Sequence, residues 1–183
     1  MLKSIYQNGG FYVGKYETGR ASSSSSTPVI KEGTNVYSSL TCKEAQTLAS
    51  SMESGEYTSN LLFGVQWDLV LKYLEVKAVE KGTTLSTIQS QLNSDSTDWG
   101  NYVDKGNRMI STGSNSSYSK QGIYDVAGNA FEFTLEYTSN AGQPCAVRGG
   151  SYNYGGMVFP ASSRMPYYTI TGADFIGFRV TIY

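Results

Sequence analysis

Three blocks in the last third of the chain constrain its fold more than anything that precedes them. Gly122 to Thr134 reads Gly-Ile-Tyr-Asp-Val-Ala-Gly-Asn-Ala-Phe-Glu-Phe-Thr, Val147 to Tyr152 reads Val-Arg-Gly-Gly-Ser-Tyr, and Gly177 to Val180 reads Gly-Phe-Arg-Val. Their strand-like signals are short and punctuated by glycine. The interval between the second and third blocks resembles neither. It carries Tyr152, Tyr154, Phe159, Tyr167, Tyr168 and Phe175 among Gly, Ser, Asn and Pro. A rigid frame around an irregular, aromatic-rich segment suits a binding surface better than a catalytic site.

Composition narrows the field by exclusion. At 183 residues the chain supports one core of ordinary size. Its net charge is -1 and no basic patch is visible, so a nucleic-acid footprint is missing. No apolar run reaches the length of a membrane span, so no membrane insertion is expected. The opening Met-Leu-Lys-Ser-Ile-Tyr lacks the apolar core of a secretory signal, although a domain cut from a longer protein would read the same. The chain has no histidine, which removes the commonest general base and the commonest transition-metal ligand. Its cysteines, Cys42 and Cys145, either pair or stay as buried thiols, and two in a domain this size do not report a compartment.

Along the chain, Gly10 to Glu17 reads as a strand with Tyr12 and Tyr16 on one face, opposite Phe11 and Val13. Ala21 to Thr27 is a serine tract that cannot bury a face, hence a solvated loop. Thr41-Cys-Lys-Glu44 fits a capping box; Ala45, Leu48, Ala49 and Met52 follow as one apolar helix face, ended by Ser54-Gly55. A second helix is predicted from Val65 to Val76, with Trp67, Val70, Leu71 and Leu74 facing the core. Leu85, Ile88 and Leu92 predict a short third helical piece. Residues 93–120 form a long polar loop that Trp99 and Tyr102 are expected to pin. Asn115-Ser-Ser matches a glycosylation acceptor and serves equally well as loop composition. Helices early and short strands late make the fold class α+β.

The three blocks resemble the signature of the formylglycine-generating-enzyme family, the sulfatase-modifying-factor domain. The matching residues are Asp125, Gly128 to Thr134, Arg148 to Tyr152, and Gly177 to Arg179. Phe11 to Glu17 looks like that family's opening strand and Val65 to Asp68 like its second-helix motif, so the resemblance covers most of the chain. It implies a C-type-lectin-like fold with two main helices, short antiparallel strands and many loops. In such a fold the N- and C-terminal strands pair and a long loop region is built onto one end. The expected organisation is a single domain over residues 1–183, the C-terminal part of a longer protein. The family's oxidases carry a copper-binding cysteine pair just after Arg-Gly-Gly-Ser, whereas Tyr152 to Pro160 contains none here. Its iron-binding relatives use histidine. Both losses point away from the family's catalysis.

A second branch with this fold, the variable proteins of diversity-generating retroelements, carries a mutagenised ligand-binding region in the corresponding interval. Adenine-directed mutagenesis there turns asparagine codons into Tyr, Ser, Asp, Thr, Ile, Gly, Ala, Val or Phe, the types that dominate residues 152–175. The physical case stands beside the resemblance: tyrosine offers large amphipathic area at little entropy cost, and Ser, Gly and Asn offer adaptable hydrogen bonds. The expected surface comprises Tyr152, Asn153, Tyr154, Val158, Phe159, Ser163, Met165, Tyr167, Tyr168, Asp174 and Phe175, some of which fill the core instead. The resemblance implies calcium binding through Asp125, Gly128, Ala130 and Glu132; the alternative is that Glu132 pairs with an arginine. Arg148, Arg164 and Arg179 read as scaffold, satisfying loop carbonyls and carboxylates. Gln143-Pro-Cys145 lacks the third oxygen ligand of a sugar-binding lectin motif. The expected partner is a protein or cell-surface ligand and the expected location a virion or bacterial surface. The other readings are a divergent formylglycine-type oxidase and a structural module of a phage tail or adhesin.

Overall fold

The computed structural model describes residues 2–53 and 55–183, and of residues 2, 3 and 8 it describes the backbone alone. The first third of the chain carries α1 (Leu2–Asn8), β1 (Tyr12–Val13), β2 (Gly19–Arg20), β3 (Pro28–Val29) and α2 (Cys42–Ser50). The middle carries β4 (Ser59–Leu61), α3 (Gly64–Glu80), α4 (Leu85–Asn93), β5 (Ser119–Lys120) and β6 (Ile123–Tyr124). The last third is strands: β7 (Phe131–Tyr137), β8 (Cys145–Arg148), β9 (Arg164–Tyr167), β10 (Ile176–Phe178) and β11 (Val180–Ile182).

The helices start where polar caps permit it. The Glu44 amide donates to the Thr41 hydroxyl and the Thr41 amide donates to the Glu44 carboxylate at 2.8 Å, so the expected capping box opens α2. That helix ends at Ser50, one turn short of the expected stop; Ser54 of that stop lies outside the described residues. Met52, past the helix end, still packs against the core. α3 buries Trp67, Val70, Leu71 and Leu74 as predicted and continues past Val76 to Glu80. The short third piece is a full helix, α4, which turns Ile88 and Leu92 into the core.

Two sheets share the C-terminal strands. β11 is paired on both sides, antiparallel to β1 and to β4, which joins the two ends of the chain as the resemblance implied. The larger sheet runs β10-β7-β8-β9, antiparallel except that β10 and β7 are parallel. Directly paired residues share a face. Phe133, Val147 and Met165 are in register, and with Phe131, Ile176 and Phe178 they meet Ala45 and Ala49 of α2 in one apolar core. The opposite face carries Glu132 and Arg148, and Arg148 reaches Asp68 of α3 at 2.5 Å. Beyond it Trp67, Leu74, Ile88, Trp99, Tyr102 and Val126 form a second core.

The opening segment corrects one expectation. Tyr12 is 74% exposed while Tyr16 is buried, because β1 stops at Val13 and the alternation breaks at Gly14. The Gly14 amide continues onto the Val180 carbonyl at 2.8 Å, and the Tyr16 ring stacks at 5.0 Å on Tyr124.

The long polar loop is locked onto the Gly122–Thr134 block. Trp99 and Tyr102 are buried as expected, Asn101 bridges to Gly128, and the Asn129 amide donates to the Asn101 carbonyl at 2.7 Å. Asn129, in the left-handed region with φ +55°, turns its side chain back on the loop: its carbonyl accepts from Asn101 Nδ2 and the Ile110 amide. The approach is so close that a Cβ at Gly100 would lie 1.5 Å from the Ala127 carbonyl oxygen. Gly100→Ala is expected to lower the Tm by about 10 °C or more in scanning calorimetry. A Tm close to that of the parent would show that loop and block are not locked.

Candidate functional site

The interval 152–175 is fastened from below by its own backbone. The Tyr152 amide donates to the Asn129 carbonyl at 3.0 Å, and the Tyr154 carbonyl accepts from the Val103 amide at 3.0 Å. Gly156 and Leu92 supply carbonyls to the amides of Ser96 and Ser162 at 3.2 and 3.0 Å. Buried side chains of the long loop and α3 complete the footing. The Tyr102 hydroxyl donates to the Phe159 carbonyl at 3.0 Å and Trp67 Nε1 to the Ala161 carbonyl at 3.1 Å. The second glycine of Arg-Gly-Gly-Ser is required by this packing: Gly150 has φ +80°, and a Cβ there would sit 2.4 Å from the Phe159 carbonyl oxygen.

An aromatic ledge rises from this footing. Phe131 of β7, fully buried, is met edge-on by Phe159 at 5.2 Å, Tyr154 at 5.9 Å and Phe175 at 6.4 Å. Tyr154 and Phe159 also meet each other edge-on at 4.9 Å. A second chain of rings runs outward from Phe133 to Tyr167 and on to Tyr168, with centroids 5.9 and 5.8 Å apart. Such edge-to-face pairs contribute about 0.5–1.5 kcal/mol each beyond the area they bury. Tyr154, Phe159, Met165, Tyr167 and Phe175 are thus half-buried supports packed on the core.

The two halves of the interval converge on one face. Partial burial and then the nearby Asp174 charge push the Tyr152 phenol above its ordinary range; for Tyr167 the causes are partial burial, then Tyr154 and Tyr168, and last Asp174. Val158, Tyr168 and Asp174 are exposed, Tyr152 and Ser163 half-buried, and Asn153 accepts a hydrogen bond from the Ser151 hydroxyl at 2.6 Å. Two large apolar residues inside the interval, Met157, 72% exposed, and Ile170, 86% exposed, face outward and stand outside the expected surface. Arg164 is also outside the expected set; it stands half-exposed on β9, paired with Glu136 and with Asp68 at 3.4 Å. Arg148, from the neighbouring strand, is buried beneath it against the same two carboxylates.

Beneath the frame lies a buried charge cluster. Arg179 Nε donates to both oxygens of Glu132 at 3.1 Å, and Nη2 to one of them at 2.7 Å. The same guanidinium donates to the carbonyls of Gly14 at 2.9 Å and Tyr124 at 2.8 Å. Glu17, also buried, accepts from Asn129 Nδ2 at 2.6 Å and the Ala130 amide at 3.1 Å. Asp125 accepts from the Gly113 amide at 2.8 Å, and its other oxygen is buried with no partner among the described residues. The calcium set Asp125, Gly128, Ala130 and Glu132 does not fit this arrangement. Of its two carboxylates only Asp125 keeps an oxygen open, and Arg179 supplies the positive charge that the ion would. Glu132 pairs with an arginine, the alternative left open above.

No family model matches the chain, and no curated protein matches it. Solved structures do. The structure of PvdO from Pseudomonas aeruginosa is 15% identical with a TM-score of 0.56, over 94% of this chain and 80% of that one. CarF is 18% identical with a TM-score of 0.55, over 79% of this chain and 66% of its own. The fold is C-type-lectin-like. Treponema denticola variable protein 1 also matches, 17% identical with a TM-score of 0.49 over 70% of this chain; the chain spans about half (49%) of that protein's length.

The buried cluster sets a pH dependence. Burial first, then the neighbouring carboxylates, pushes Glu17 well above its ordinary range. Burial likewise raises Asp125, and raises Glu132 against the pull of Arg179. A carboxyl raised in the folded state holds a proton that the unfolded chain has released. The stability it contributes is therefore present on the acidic side and lost as pH rises above the ordinary carboxylate range, through the raised folded values. Asp125→Asn removes one charge, and asparagine accepts the left-handed backbone that Asp125 adopts at φ +54°. The variant is expected to melt about 2–4 °C above the parent near pH 8, with a shallower fall in Tm between about pH 5 and 8. Equal pH slopes in the two proteins would contradict the cluster's role.

Proposed function

We propose that this chain is a non-catalytic recognition domain that presents residues 152–175 to a protein or cell-surface ligand, in the manner of the variable proteins of diversity-generating retroelements. One observation carries the reading: the interval is held by backbone bonds and inward rings, while Met157, Val158, Ile170 and Asp174 point to solvent and Tyr168 stands exposed at the outer end of its ring chain. A surface built this way can change its outer side chains without changing its support. Preformed support also limits the ordering cost of association, and edge-packed tyrosines offer large contact area with little rotamer entropy to lose. Recognition rather than oxidation fits the residue types, since Tyr152 to Pro160 holds no cysteine and the chain no histidine. The same reading assigns the protein to a virion or bacterial cell surface.

Sequencing the locus from sibling isolates tests it. Substitutions are expected to concentrate at the outward positions of 152–175, with Phe131, Phe133, Arg148 and Arg179 unchanged. Variation spread evenly over the chain, or absent from the interval, would overturn the proposal.

A further inference from the structure

The two cysteines are far apart in sequence and adjacent in the fold. Cys42 is the first residue of α2 and half-buried; Cys145 is the first residue of β8 and buried, and both are free thiols here. Cys145 lies two residues before Val147 and so on the same sheet face, the one that α2 covers with Ala45 and Ala49. The N-terminal end of the helix therefore stands over the start of the strand. Cys145 belongs to one apolar cluster and Cys42 packs against it, where burial first and then the neighbouring Cys145 thiol push the Cys42 thiol up. Closing a bond of about 2.05 Å between them would draw the start of α2 onto the start of β8.

We propose that Cys42 and Cys145 are a covalent modification site: in an oxidising thiol–disulfide couple they close into an intramolecular disulfide that clamps α2 to β8. With glutathione disulfide as oxidant, Cys42, the more accessible thiol but one that burial pushes up, reacts through its small thiolate fraction: it gives its proton to solvent, attacks one sulfur and releases one glutathione thiol. The Cys145 thiolate then attacks Cys42 Sγ in the mixed disulfide and releases the second. Each cysteine gives up its proton and the pair gives up two electrons; glutathione disulfide takes both and leaves as two thiols. Cys145 faces Tyr137 on one side of the ladder and Tyr167 on the other, so the clamp fixes the strand end from which the Tyr167–Tyr168 pair projects. That consequence rests on the recognition reading; the bond itself does not.

Equilibrating the folded chain with reduced and oxidised glutathione, then denaturing and alkylating it, gives a direct readout. Expected are an intact mass lower by two hydrogens, no alkylation, and one peptide linking Cys42 to Cys145. The Tm should rise by about 5–10 °C and return to its starting value in dithiothreitol. Cys42→Ser should leave Cys145 open to alkylation with no link; Cys42→Ala replaces it if the serine variant does not fold. Two alkylated cysteines after oxidation, stable glutathione adducts, or dimers linked between chains would each overturn the proposal.

Discussion

Arg179 is the joint on which this frame turns. Its guanidinium is buried, and its hydrogen bonds reach three stretches of chain: Gly14 after β1, Tyr124 and Asp125 at the end of β6, and Glu132 in β7. Arg179 itself sits between β10 and β11, which belong to different sheets. A planar group with its donors fixed in a fork is the side chain suited to such a junction. Removing one partner of a buried pair costs about 3–5 kcal/mol, because the other charge is left uncompensated. Glu17 and Asp125 lie close enough to add to the pull that Glu132 exerts on the buried guanidinium. The pair and the cluster are one device: the carboxylates hold the proton on Arg179 against the cost of burial, and Arg179 keeps them together.

From that joint the division of labour follows. The Gly122–Thr134 block supplies Phe131 and Phe133 towards one core and Glu132 towards the joint, because alternate residues of a strand face opposite sides. Arg-Gly-Gly-Ser supplies Arg148 to the α3 carboxylate and two glycines where carbonyls and the Tyr102 ring come too close for a side chain. Gly-Phe-Arg supplies Phe178 to the core and the joint itself. Apart from Tyr152 at the end of the second block, the side chains named here from the three blocks are buried. What they hold up, the ledge of Tyr154, Phe159 and Phe175, ends in residues that are under no packing obligation.

Much of this was legible before any coordinate. The Thr41–Glu44 cap, the core face of α3 through Trp67, and the scaffold role of the arginines all rest on local chemistry that a sequence displays. Failures occurred where the fold overrides local pattern. Residues 164–167 fall in the interval whose composition reads as irregular, yet they form β9, and Pro166 is tolerated there because β9 is the edge strand of its sheet, where a missing amide costs least. α1 went unseen because so short a helix has too few turns to show a period. The parallel pairing of β10 with β7 has no local signal at all; it depends on the crossover through β8 and β9. At the site, composition found the aromatic supports and missed Met157 and Ile170, since exposure is a property of packing rather than of residue type.

The central claim is that support and recognition are carried by different side chains of the same segment. A saturation scan of residues 131–179 on displayed protein, scored by resistance to protease, tests it without knowledge of the ligand. Met157, Val158, Ile170 and Asp174 should accept polar and apolar replacements within about 0.5 kcal/mol, while Phe131, Glu132, Phe159 and Arg179 should accept almost none. If the outward positions prove as intolerant as the ledge, the interval is core rather than surface, and the account is wrong.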